Sequence, residues 1–180
     1  MRLKNLWVSI PGLLLATGAY GAESKVDALK ISCEEFVAMP KPAQERTASF
    51  LEGYSKRDVN ESAVGEVEVA PDIAVAVTDC KAEPKATFWD KLKAHLPGVG
   101  SSAKPSRSSG RVKPVELTCE EFLALGDPKQ PQVVFWLDGY SRKNTDAVVE
   151  VDLKRDVLAL GEVCRPAPKE TLWSKLKSIF

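Results

Sequence analysis

Four cysteines, one histidine and two pairs of adjacent glutamates are the residues of this 180-residue chain whose types could do chemistry. Cys33, Cys80, Cys119 and Cys164 could serve redox exchange, metal ligation or structural disulfides. The sequence has no CxxC and no His/Cys/Asp/Glu cluster with metal-ligand spacing, so bridges are expected, and metals and cofactors are not. His95 is the only histidine, which leaves any Ser-His-Asp or Cys-His mechanism resting on it alone; it reads as an exposed side chain without a catalytic part. Glu34/Glu35 and Glu120/Glu121 invite comparison with paired-carboxylate hydrolases. Each pair follows Ser32 or Thr118 at an expected helix start, where acidic side chains complement the helix dipole, and that accounts for them more simply. GVGSS, from Gly98, lacks the Lys-Ser/Thr of a phosphate loop. The chain is not expected to be an enzyme.

The elements that position the cysteines occur twice. SCEEFVAM from Ser32 returns as TCEEFLAL from Thr118, FLEGYSK from Phe50 as WLDGYSR from Trp136, and TFWDKLK from Thr87 as TLWSKLK from Thr171. The offset is 86 residues for the first two blocks and 84 for Cys80 to Cys164 and the last block, so one two-residue indel aligns the copies. Four cysteines allow three pairings; the repeat favours Cys33 with Cys80 and Cys119 with Cys164. Each bridge closes a loop of about 47 residues, worth roughly 4 kcal/mol in the chain-entropy model. Units of about 65 residues have marginal cores, so that contribution is needed.

Within each copy the periodicity is helical. Ser32 with Glu35 and Thr118 with Glu121 have the spacing of capping boxes and start a short first helix. A second helix follows Pro42 or Pro131, with Thr47, Phe50, Leu51 and Tyr54 on one face, matched by Val133, Trp136, Leu137 and Tyr140. Gly53 and Gly139 interrupt this pattern, which costs about 1 kcal/mol against alanine unless close packing needs the missing side chain. Third helices should carry Val69, Ile73, Ala76 and Cys80, and Leu153, Val157, Leu160 and Cys164; the preceding valines also permit strands. The closing segments are amphipathic helices with Trp89 and Trp173 opposite lysines, and a membrane-surface role for them is disfavoured. The expected fold class is all-α, with two small disulfide-linked helical domains in tandem. Residues 30–96 and 116–180 are the domains, and the Gly/Ser/Pro-rich stretch 97–115, with four basic residues and no acidic one, is a flexible linker.

Residues 1–21 read as a secretory signal peptide: Arg2 and Lys4 precede an apolar stretch, Leu6 to Tyr20, followed by small residues. Export places the cysteines where disulfides persist. The chain has 25 basic and 25 acidic residues; losing Arg2 and Lys4 leaves 23 against 25, a formal charge of −2, so a nucleic-acid partner is not expected. Protonating every carboxylate carries the mature chain to about +24 with His95 counted, a strong response to acid.

The S/T-C-E-E-F-L opening, the glycine-bearing second helix, the valine-rich stretch ending in Cys and the closing F/W-x-x-K-x-K helix resemble the HdeA/HdeB family of periplasmic acid-stress chaperones over nearly all of both copies, Ser32 to Leu96 and Thr118 to Phe180. The resemblance implies small all-α units, one internal disulfide each (Cys33–Cys80 and Cys119–Cys164), and apolar surface exposed in acid to hold unfolded periplasmic proteins. The chain departs from the family's single-domain pattern in being a tandem fusion, and an intrachain pseudo-dimer and a homodimer are both open to it. Phe50, Leu51, Tyr54, Trp136, Leu137 and Tyr140 are the candidate interface or client-binding residues. The rival expectation is a secreted binding or inhibitor protein with a fixed envelope partner.

Overall fold

The computed structural model describes residues 25–68, 73–96, 111–127, 129–142, 147–150 and 154–178. The expected signal peptide, residues 1–21, and most of the expected linker, 97–110, lie outside them. Among the described residues there are eight α-helices and four short strands. The first copy contributes β1 (Lys25–Asp27), α1 (Cys33–Ala38), α2 (Lys41–Ser55), β2 (Val67–Glu68), α3 (Ala74–Ala82) and α4 (Phe88–Lys93). The second contributes β3 (Arg111–Val112), α5 (Cys119–Ala124), α6 (Lys129–Ser141), β4 (Val148–Glu150), α7 (Lys154–Cys164) and α8 (Leu172–Lys177). The fold is mostly helical, with two disulfides and two like units in tandem.

Both units are built around the same knot. Ser32 caps α1 by accepting from the Glu35 amide while the Glu35 carboxylate accepts from the Ser32 amide at 2.8 Å; Thr118 and Glu121 do the same for α5 at 2.9 Å. Thr87 and Thr171 cap α4 and α8, and each lies in an antiparallel bridge with the cap of its unit's first helix, Ser32 with Thr87 and Thr118 with Thr171. The amide of Cys33 donates to Ala86 at 2.8 Å, as that of Cys119 does to Glu170 at 2.8 Å. One disulfide then joins α1 to α3, Cys33–Cys80 with Cα atoms 4.8 Å apart, and the other joins α5 to α7, Cys119–Cys164 at 5.0 Å. Gln44 and Gln130 stitch each second helix back to its first by donating to the carbonyls of Phe36 and Phe122, both at 3.1 Å.

Three expected boundaries differ. Arg111–Val112, placed in the linker by composition, pair antiparallel with Val67–Glu68, and Val115 is buried, so the second unit begins before residue 116. Lys25–Asp27, ahead of the expected start at residue 30, pair antiparallel with β4. The strand partners of these backbones lie in the other copy, which composition cannot reveal. The first unit's third helix begins at Ala74, later than its apolar spacing suggested; Val69 lies outside the described residues.

Candidate functional site

The second helices, α2 and α6, form the centre of the molecule and cross at their glycines. A Cβ on Gly53 would overlap the Trp136 carbonyl oxygen, and one on Gly139 would overlap that of Phe50. Gly139 and Trp136 are the repeat equivalents of Gly53 and Phe50, so the two overlaps are one contact made twice about a pseudo-two-fold axis. Each residue from Thr47 to Leu51 and from Val133 to Leu137 is buried, because each helix has its own unit on one side and the other unit on the opposite side.

The strands repeat this reciprocity. Each copy's leading strand pairs with the other copy's valine segment, β1 with β4 and β3 with β2. Side chains cross as well: Phe135 and Ala147 of the second copy sit in the first unit's core, while Val64 and Val67 of the first sit in the second's, with Val59 against it. Polar groups tie the copies as well, beginning with the Ala28 amide, which donates to the Ala147 carbonyl at 2.8 Å. Tyr140 donates its hydroxyl to the Val59 carbonyl at 2.7 Å, Gln132 donates to the Glu45 carboxylate at 3.2 Å, and Lys177 pairs with Glu61 at 3.3 Å. The Trp136 indole N–H and the Gln132 side-chain carbonyl are buried without a protein hydrogen-bond partner. Each such group costs about 1–3 kcal/mol where nothing else satisfies it.

Of the six residues proposed from sequence, Phe50, Leu51, Trp136, Leu137 and Tyr140 are buried between or beneath the central helices, and Tyr54 is half-buried. Tyr54 stacks edge-on against Trp89 at 6.4 Å, with the Arg57 guanidinium 4.3 Å from its ring centroid. Tyr140 meets Trp173 in the same way at 5.4 Å, and burial with Glu61 nearby raises its hydroxyl's pKa. Phe135 was missed because it lies off the i, i+3, i+4, i+7 stripe; being apolar outside that stripe was the available signal that α6 is covered on a second face. The buried carboxylates Glu52 and Asp138, repeat equivalents one residue before each glycine, were also missed; Asp138 pairs with Arg142 at 2.9 Å. His95, expected to be exposed, is only about a third exposed at 34% and pairs through Nε2 with Asp79 at 2.8 Å, tying the end of α4 to α3.

The capping carboxylates are the groups whose titration the structure shifts clearly. The Ser32 hydroxyl and then its amide hold Glu35 below the usual glutamate range; for Glu121 the Thr118 amide is the larger cause and the hydroxyl follows. Asp90 is lowered by Lys93 and by Thr87. A depressed folded-state pKa means stability that is present above the ordinary value and lost as the pH falls through the folded one. The helix starts beside the disulfides should therefore survive below about pH 4, the ordinary carboxylate range. In a carboxyl-resolved NMR titration, Glu35 and Glu121 should protonate below the ordinary glutamate value, with the amides of Ser32 and Thr118 protected to the same pH. Titration at or above that value would contradict the capping account.

Among the described residues no group of His, Cys, Asp and Glu is placed to hold a metal ion, and no helix is long and apolar enough to cross a membrane. The lysine-rich closing helices turn their aromatics inward: Trp173 is buried and Trp89 half-buried, with Lys177 and Lys93 5.2 and 5.3 Å from the ring centroids.

Two helical units, each pinned by a disulfide and closed on one another through equivalent helices and exchanged strands, define a tandem pseudo-dimer. The HdeA/HdeB family model matches the chain twice, over residues 7–90 and 94–174, and the chain belongs to that family. It is 37% identical over 90 residues to proteins described as probable acid stress chaperone HdeA from Brucella ovis, Brucella canis and Brucella suis, an alignment covering 46% of this chain and 79% of each relative. No solved structure matches it.

Proposed function

We propose that the protein is an acid-activated holdase of the periplasm, which separates its two units at low pH and presents the uncovered apolar surface to unfolding proteins. The observation that carries this reading is the reciprocal interface, in which large apolar side chains from both copies are buried against one another. The family and the names of the Brucella relatives support a chaperone role. Acid acts through charge. With 25 basic residues facing 25 acidic ones, protonation of the carboxylates leaves a large positive excess whose self-repulsion favours separated units. Protonation also removes the Lys177–Glu61 pair between the copies and the Asp138–Arg142 pair beside the crossing. The disulfides and low-titrating caps keep each unit from unravelling, so that its apolar surface stays presentable.

The test is light scattering from citrate synthase shifted to about pH 2–3 with and without the purified mature protein. Suppression in acid and none at pH 7 is the expected result, and added salt, which screens exposed charge over about 10 Å at 0.1 M, should oppose the opening. Equal binding of one partner at both pH values would favour a fixed secreted binder or inhibitor.

A further inference from the structure

The pseudo-two-fold relation pairs positions of α2 with positions of α6, and their chemistry is unequal. At the four positions that precede the conserved-length stretch to the glycines, Arg46, Thr47, Ala48 and Ser49 stand opposite Gln132, Val133, Val134 and Phe135; the next pair is Phe50 and Trp136. At Thr47, Ala48 and Ser49 the counterpart in the second copy is the larger and more apolar, and at Phe50 it is the larger. The sharpest contrast is Ser49 against Phe135. Ser49 turns its hydroxyl back to the carbonyl of Glu45 in its own helix at 2.9 Å, whereas Phe135, 1% exposed, crosses into the first unit's core beneath the Arg46 guanidinium, 5.9 Å from its ring centroid. Parting the units therefore uncovers a phenylalanine on α6 where it uncovers a serine on α2.

This surface continues outward on the second unit, beside Arg46 of the first. Phe135 borders an open hollow of about 350 Å³ lined also by Arg46, Asp127, Gln130, Pro131, Val157 and Leu158. Leu158 is 72% exposed, the most exposed large apolar side chain among the described residues. Its repeat equivalent, at the 84-residue offset, is the small Ala74. Phe135 and Leu158 thus have only Ser49 and Ala74 in their places in the first copy, while Val157 is matched there by Ile73.

We propose that the two units are unequal in holding: once separated, the second presents the Phe135, Val157 and Leu158 strip to apolar segments of an acid-unfolded polypeptide, and the first serves chiefly as its cover. The inference rests on the holdase reading and adds where the client sits. The occupant follows from what Phe135 already packs against, since in the closed molecule its ring is seated among the apolar side chains of the first unit's core.

A photo-crosslinking benzoylphenylalanine placed at Leu158 or at Ala74 of the mature full-length chain tests it, with citrate synthase as client at about pH 2–3; both positions are exposed, so neither disturbs the closed fold. Crosslinks from position 158 should exceed those from 74 by about fivefold, the order expected from burying part of one large apolar side chain. Phe135→Ser, which copies the first unit, and Leu158→Ala, which leaves the core untouched, should each raise the protein needed to suppress aggregation. Equal crosslinking from both positions, or unchanged suppression by Leu158→Ala together with Phe135→Ser, overturns the inequality while the holdase reading stands. Absence of suppression by the unsubstituted protein overturns both.

Discussion

Gly139→Val should hold the two units apart at neutral pH. Gly139 and Gly53 lie within helices, where valine costs no more backbone strain than in any other helix and alanine is favoured over glycine by about 1 kcal/mol. At Gly139, however, a Cβ meets the Phe50 carbonyl oxygen and lies 2.8 Å from the Tyr54 amide nitrogen, and neither backbone atom can rotate away. Separation of α2 from α6 is the only relief, and overpacking typically costs about 1–3 kcal/mol, with a rigid backbone contact of this kind at the upper end. Gly161, in α7, supplies the control: nothing lies within 4 Å of its would-be Cβ, so Gly161→Ala should be neutral or mildly stabilising. Small-angle scattering and an apolar-surface dye at pH 7 should report an enlarged, dye-binding Gly139→Val protein whose disulfides remain closed. A compact, dye-silent variant would remove the glycine crossing as the keystone of closure.

Removing the second unit's disulfide should have the next largest effect. Cys119 opens α5 and Cys164 ends α7, at a sequence separation of 45. Opening a loop of that length forfeits about 4 kcal/mol in the chain-entropy model, several times the usual value of a helix cap. For a protein of this size that corresponds to a fall in melting temperature of roughly 10–15 °C for Cys119→Ala/Cys164→Ala at neutral pH. In the proposed acid-opened state the loss should be more severe, because units that have parted would not support one another and the disulfide knot would be what retains helix. Far-UV circular dichroism at about pH 2–3 should show helix kept by the bridged protein and lost by the variant. Equal helix in both would mean that the caps alone suffice.

Local chemistry was legible in the sequence where it is decided by near neighbours. Ser32 with Glu35 and Thr118 with Glu121 announce their helix starts because a capping box closes within one turn. The repeat announced which cysteines belong to the same unit. Gly53 and Gly139 signalled close packing, but the partner backbone could not be named from a pattern that records only one helix at a time. The strand exchange was hidden for a stronger reason. Lys25–Asp27 and Arg111–Val112 are two- or three-residue segments whose hydrogen-bond partners come from the other copy, and Arg111–Val112 sits in basic, Ser- and Gly-rich sequence that reads as linker. Phe135 was passed over because amphipathic periodicity assumes one buried face, and α6 has two.

The exchange of strands between halves of one chain changes what sets the balance between closed and open. An interface between separate subunits weakens on dilution, because its stability is inseparable from protomer concentration. Here α2 and α6, and the strand pairs β1–β4 and β2–β3, find their partners on the same polypeptide, at a local concentration fixed by the connecting chain, on the order of millimolar for short connections. Closure is a first-order event. For the opening proposed above, the acidity at which the halves part would then be a property of the molecule and not of its abundance, so a cell holding few copies would have the same threshold as one holding many, and the halves of an opened molecule would remain within reach of each other when neutrality returns.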